Sequence, residues 1–120
     1  MSIPRMSIQR IPGASRGRCK ASIANGFVYA VATAPDTSAD VAGQTRQTLT
    51  ELDAVLAEAG TDKTRIVSAT IYLADILFKK EMDAVWCDWI GAEANWPQRA
   101  CVGAALEGDT TVEIVLVVLA

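Results

Sequence analysis

The stretch Thr111-Val112-Glu113-Ile114-Val115-Leu116-Val117-Val118-Leu119 (TVEIVLVVL) decides the fold. Successive side chains of a strand point to opposite faces of its sheet. Val112, Ile114, Leu116 and Val118 therefore point one way, and Glu113, Val115, Val117 and Leu119 the other. Apart from one carboxylate, both sets are apolar, so both faces of this strand need covering.

Working back from it, Gln98–Leu106 reads as a second closing strand, joined to the last one around Glu107-Gly108-Asp109, with Pro97 breaking the chain before it. Lys79–Ile90 has helical spacing through Met82, Val85, Trp86, Trp89 and Ile90. Arg65–Ala74 alternates, with Val67, Ala69, Ile71 and Leu73 on one face of a strand. From Ala39 to Ala59 the positions Val41, Leu49, Leu52, Val55, Leu56 and Ala59 again recur at helical spacing. Ser38 or Asp40 is placed to cap this helix, and Gly60 to end it. A helix of that length runs roughly 30 Å, enough to cross a whole sheet. Residues 18–24 and 27–33 read as strands joined at Asn25-Gly26, the dipeptide best suited to a two-residue hairpin. Residues 1–17 read as a flexible tail, and 18–120 as a single domain. The order is β-β-α-β-α-β-β, an α+β sheet with two helices on one face. Two helices cover only one face of such a sheet. A second copy of the chain is the simplest cover for the other, so oligomerisation is expected.

Composition narrows the chemistry. The 120 residues are 51% hydrophobic and contain no histidine, which removes Ser-His-Asp and Cys-His nucleophiles and most zinc or non-haem iron sites. Cys19, Cys87 and Cys101 are too few and too scattered for a disulfide framework. Their odd number and the lack of a signal-length apolar stretch predict a reduced, cytoplasmic protein. No apolar run is long enough to span a bilayer. The first 20 residues hold five basic groups and no acid, whereas the remainder holds six basic and fourteen acidic groups. A body this acidic repels phosphate backbones, so nucleic acid is not the expected partner, and with no spanning run a membrane is not expected either.

Three residues stand out. Glu113 is the one charge in a strand apolar on both sides. It is either a solvated residue near the strand's start or a partly desolvated carboxylate at a subunit seam, suited to general acid–base work. Arg99 is either a surface charge or a fork of donors able to hold a carboxylate. If the two closing strands form a hairpin, Arg99 lies toward its open end and Glu113 nearer the turn, so pairing within one chain is not the whole arrangement. Cys101 shares the face of Arg99 and reads as a small buried hydrophobe, since no histidine is present to make its thiolate. Of the aromatic residues, Trp96 beside Pro97 is the one expected to line a pocket.

Five segments together resemble the RidA/YjgF family. They are Gln44–Leu49 with Leu52–Gly60, Ile66–Asp75, Met82–Trp89, Pro97-Gln98-Arg99-Ala100-Cys101-Val102, and Val112-Glu113-Ile114. The resemblance covers about residues 18–120, in order and with matching spacings. It implies a chorismate-mutase-like homotrimer with clefts between neighbouring subunits. It also implies hydrolysis of 2-imino acids and their enamine tautomers to 2-oxo acids and ammonia, with no metal or organic cofactor. On that likeness Arg99 holds the substrate carboxylate, backbone groups at Ala100 and Cys101 orient the imine nitrogen, and Glu113 activates water.

Three stretches depart from the family pattern. Arg16-Gly17-Arg18 stands where Gly-Pro-Tyr is usual, Val31-Ala32-Thr33 where Ser-Gly-Gln is usual, and Leu77-Phe78-Lys79 where Asn-Asp-Phe is usual. Arg18 and Val31 thus become candidate substrate contacts. Arg18 suits a larger or doubly acidic substrate, such as an aminomuconate, or it is an exposed charge at a strand end. A non-catalytic trimer binding small carboxylates is the alternative from another class.

Overall fold

In a computed structural model describing residues 7–120, the last strand runs through the interior of the sheet. The strands are β1 (Gln9–Pro12), β2 (Cys19–Ala24), β3 (Phe27–Thr33), β4 (Ile66–Leu73), β5 (Gln98–Gly103) and β6 (Val112–Leu119). The helices are α1 (Val41–Glu58) and α2 (Lys79–Ile90). The sheet order is β1-β2-β3-β6-β4-β5. All neighbours are antiparallel except β4 and β5, which are parallel.

This corrects the expected closing hairpin. Strands β5 and β6 are not neighbours: β6 pairs with β3 on one side and β4 on the other, and β5 lies on the far side of β4. The two-sided apolarity of β6 is the physical reason, since a strand apolar on both faces is better flanked on both edges than left at the rim of the sheet. Strand β5 is also shorter than expected, ending at Gly103. Ala104 N–H continues to the Leu73 carbonyl, and the chain then turns away through Thr110 N–H to Glu107 C=O.

The expected tail is likewise shorter. Gln9–Ile11 pair with Ala21–Ile23, and Ile11 is buried in the core, so its burial and the free edge of β2 draw this segment onto the sheet. The remaining expectation of a flexible start falls partly on residues 1–6, outside the described residues.

The other elements follow the sequence, except that an irregularity in β4 between Ile66 and Ser68 leaves the expected inward residue Val67 exposed and buries Ile66 in its place. Asn25 and Gly26 both take positive φ, 51° and 83°, as the tight hairpin requires. Asp40 caps α1 by accepting from Gly43 N–H, and Gly60, at φ 82°, ends it. Val112, Ile114, Leu116 and Val118 are fully buried against the helix side, with Leu49, Leu52, Leu56, Met82, Trp86 and Ile90 from the two helices in the same core. Burying such side chains stabilises by about 1.5–3 kcal/mol each.

Gln44 is fully buried in α1 and ties the helix to the last strand. Its amide nitrogen donates to the carbonyls of Thr37, Ala39 and Asp109, and its oxygen accepts from Thr111 N–H. The start of β6, and with it Glu113, is thereby fixed to the start of α1.

The opposite face of the sheet carries no helix. Tyr29 (47% exposed), Val31, Val102 and Leu119 lie open there beside half-buried Val115 and Val117. No helix is long and apolar enough to cross a membrane.

Candidate active site

The expected site residues fall into two groups that one chain does not bring together. Glu113 lies on the open face, between Thr33 of β3 and Tyr72 of β4. The extended β2–β3 register sets Arg18 at the same end of the sheet. A cleft of ≈ 670 Å³ gathers Arg18, Lys20, Val31, Thr33, Glu107 and Glu113 there. Three of the expected residues, Arg18, Val31 and Glu113, are thus in one place.

Arg99 lies elsewhere. It sits opposite Ala69 on the edge strand β5 and points to the helix side. Its Nη2 donates to Asp83 Oδ1 at 2.6 Å, and its guanidinium lies 5.6 Å from the centre of the Trp86 ring. Lys79 Nζ meets the other oxygen of Asp83, also at 2.6 Å. Partial burial pushes the Asp83 carboxyl up, but the hydrogen bonds and charges of Lys79 and Arg99 outweigh it and hold the group below its usual range.

Cys101 is half-buried on the same face as Arg99, level with Ile71. Burial pushes its thiol up despite the opposing charge of Arg99, so the side chain stays protonated and packs. Ala100 is exposed between them. Strand β5 has only β4 as a neighbour, which leaves a row of its backbone donors and acceptors open at the sheet edge. Trp96 does not line the cleft: it is largely exposed and gives its indole N–H to the Gly91 carbonyl.

Two features were missed in the sequence. Asp83 was hidden because Lys79 and Asp83, four apart on a helix, look like an ordinary surface pair. Cys19 lines the cleft beside Arg18, and its thiol is lowered, first by the Ser22 hydroxyl and then by Arg10. Among the described residues, no three His, Cys, Asp or Glu side chains cluster as metal ligands.

The arrangement defines a mixed α+β fold with one uncovered apolar face and a carboxylate at one end of it. A family model described as Endoribonuclease L-PSP matches residues 13–120, and the chain belongs to that family, whose members also carry the names RutC, YjgF and Rid. A RutC family protein of Haemophilus ducreyi is 42% identical over 97 residues, covering 79% of this chain and 82% of that protein. The RutC family protein YoaB of Escherichia coli is 36% identical over 101 residues, 84% of this chain and 87% of its own. Among solved structures, a putative translation initiation inhibitor from Salmonella typhimurium superposes with a TM-score of 0.88 at 33% identity, covering 97% of this chain and 100% of that one. The YjgF family member NMB1025 from Neisseria meningitidis gives 0.86 at 33% identity, with 95% of each chain covered.

Proposed function

We propose that this protein hydrolyses reactive 2-imino acids and their enamine tautomers to 2-oxo acids and ammonia, as a cytoplasmic homotrimer with its clefts between neighbouring copies. The observation that carries the reading is the division of the site. Arg99 and Glu113 occur in one chain on opposite faces of the sheet, each beside a surface that chain leaves uncovered. A copy seated on the apolar face would bring its own edge strand to the cleft of Glu113.

An imine carbon is already a good electrophile, so the protein has three tasks: hold the carboxylate, place a water and manage protons. Arg99 holds the carboxylate through paired N–H donors. Glu113 takes a proton from water as the oxygen adds to the C=N carbon and passes it to the nitrogen, giving the carbinolamine. It then takes the hydroxyl proton and delivers it to the amine as the C–N bond breaks, so that C=O forms and ammonia leaves. The open backbone groups of β5 at Ala100 and Cys101 orient the imine nitrogen. Water supplies the oxygen of the 2-oxo acid, and no electrons are exchanged.

A second reading, a larger or doubly acidic substrate such as an aminomuconate, is favoured by Arg18 and Lys20 in the cleft of Glu113. The ribonuclease in the family's description sits poorly with six basic against fourteen acidic groups beyond residue 20.

The test is Glu113→Gln, which keeps shape and hydrogen-bonding reach but cannot accept the proton of water. It should keep the assembly and its 2-oxo acid affinity while turnover falls by about 10²–10⁴-fold. Imino acids are generated in situ with an amino-acid oxidase, and 2-oxo acid release is read above spontaneous hydrolysis. A wild type that never exceeds that background would make a non-catalytic carboxylate-binding trimer the better account.

A further inference from the structure

The reading above gives Arg99 its ligand but leaves Asp83, Lys79 and Trp86 without a task. They lie at intervals of four and three along α2, which places all three on one face of the helix. That face meets the Arg99 side chain from the edge strand.

An arginine on an edge strand has many rotamers open to it, and a mobile fork binds a small carboxylate poorly. Here the guanidinium is fixed twice: Trp86 supports its flat face, and Asp83 takes a hydrogen from Nη2. Among the described residues the other N–H groups of Arg99 have no partner, so they remain open to a ligand. Lys79 completes the arrangement. An Asp83–Arg99 pair alone would be neutral and a weak anion site. With Lys79 on the second oxygen, the cluster of two cations and one anion keeps one net positive charge.

We propose that Asp83 is a positioning residue for Arg99, presenting its free N–H groups to the ligand carboxylate, and that Lys79 keeps the cluster cationic while Asp83 does so. This rests on the reading that Arg99 holds that carboxylate.

The sign of one effect separates positioning from charge. Asp83 is negative beside an anion site, so by charge alone its removal tightens anion binding. Positioning predicts the reverse. Asp83→Ala should weaken 2-oxo acid binding about tenfold, and KM for imino acids should rise by more than kcat falls. Asp83→Asn keeps an acceptor for Nη2 and should bind as well as wild type or better. Asp83→Glu keeps the charge and suits a helix, but moves the carboxylate outward by one methylene, so it too should weaken binding. It remains informative if the Ala variant fails to fold.

Binding is measured by calorimetry with 2-oxobutyrate, beside Arg99→Ala as a reference. Ala and Glu variants that bind as wild type, while Arg99→Ala does not, would overturn the inference and leave the clamp intact. If Arg99→Ala itself binds as wild type, the clamp reading fails and the inference falls with it.

Discussion

Mixing two inactive variants tests the division of the site. The register gives the separation within one chain. Glu113 is level with Tyr72 of β4, and Tyr72 with Val102 of β5, while Arg99 lies three residues before Val102. Two strand spacings of about 4.8 Å and three residues at about 3.3 Å put the two Cα atoms roughly 14 Å apart. The side chains then leave opposite faces of the sheet. A small 2-imino acid cannot be held by one and attacked through the other in the same chain.

In a closed threefold ring, each cleft would take Glu113 from one copy and Arg99 from the next. A ring containing both Arg99→Ala and Glu113→Gln copies then has an intact cleft wherever the first variant's Glu113 meets the second variant's Arg99. With random assembly from equal amounts, that happens at about one cleft in four. Either variant alone should be nearly inactive, and the mixture, unfolded and refolded together, should recover about a quarter of wild-type turnover. Native mass spectrometry confirms that the rings are mixed. Mixed rings no more active than their parents would refute the shared cleft.

Two further outcomes follow from the same surfaces. Val117→Asp sets an unpaired carboxylate on the open apolar face, beside Tyr29. It should leave the single-chain fold intact but cost several kcal/mol at a dry interface, so light scattering should report a single chain of 12.8 kDa rather than three times that mass. The Asp83 carboxyl sits below its ordinary 3.8 in the folded chain. The unfolded chain therefore binds the proton first, and the stabilisation is complete above about 3.8 and lost as pH falls through the lower, folded value. The gap in melting temperature between wild type and Asp83→Asn should accordingly narrow in acid, and a constant gap down to full protonation would contradict the ion pair.

Much of this fold was legible because its elements are locally consistent. Asn25-Gly26 marked a hairpin, the Val41 to Leu56 spacing marked a helix, and the alternation through Ile114 and Leu116 marked a strand with a buried side. What failed was long-range pairing. Two adjacent strands around a turn suggest a hairpin, yet only the two-sided apolarity of β6 says that it belongs between β3 and β4, and that signal carries no partner. Strand β1 was missed because four residues with one buried side chain, Ile11, have too little periodicity to read. Arg18 and Val31, singled out as departures from the family pattern, line one cleft with Glu113. The contacts of Arg99 did not emerge, since Asp83 and Trp86 are brought to it by a parallel crossover through α2.

That crossover explains why the site divides as it does. A parallel β4–β5 pair needs a connection across the sheet, and α2 supplies it on the already covered face. Arg99, pointing to that face, meets the helix, and its guanidinium is held by residues of the connection itself. Glu113 is two strands further in, beyond β4, and faces away, so no element of its own chain can bring it a cationic partner from β5. A sheet covered on one side thus fixes an arginine firmly on its edge and leaves its one inward-strand carboxylate on the uncovered side. The apolar surface around Tyr29, Val117 and Leu119 is the natural seat for a second copy. On the proposed reading, the step that hides this surface from water also completes the catalytic pair, so assembly and activity share one origin in the pattern of β6.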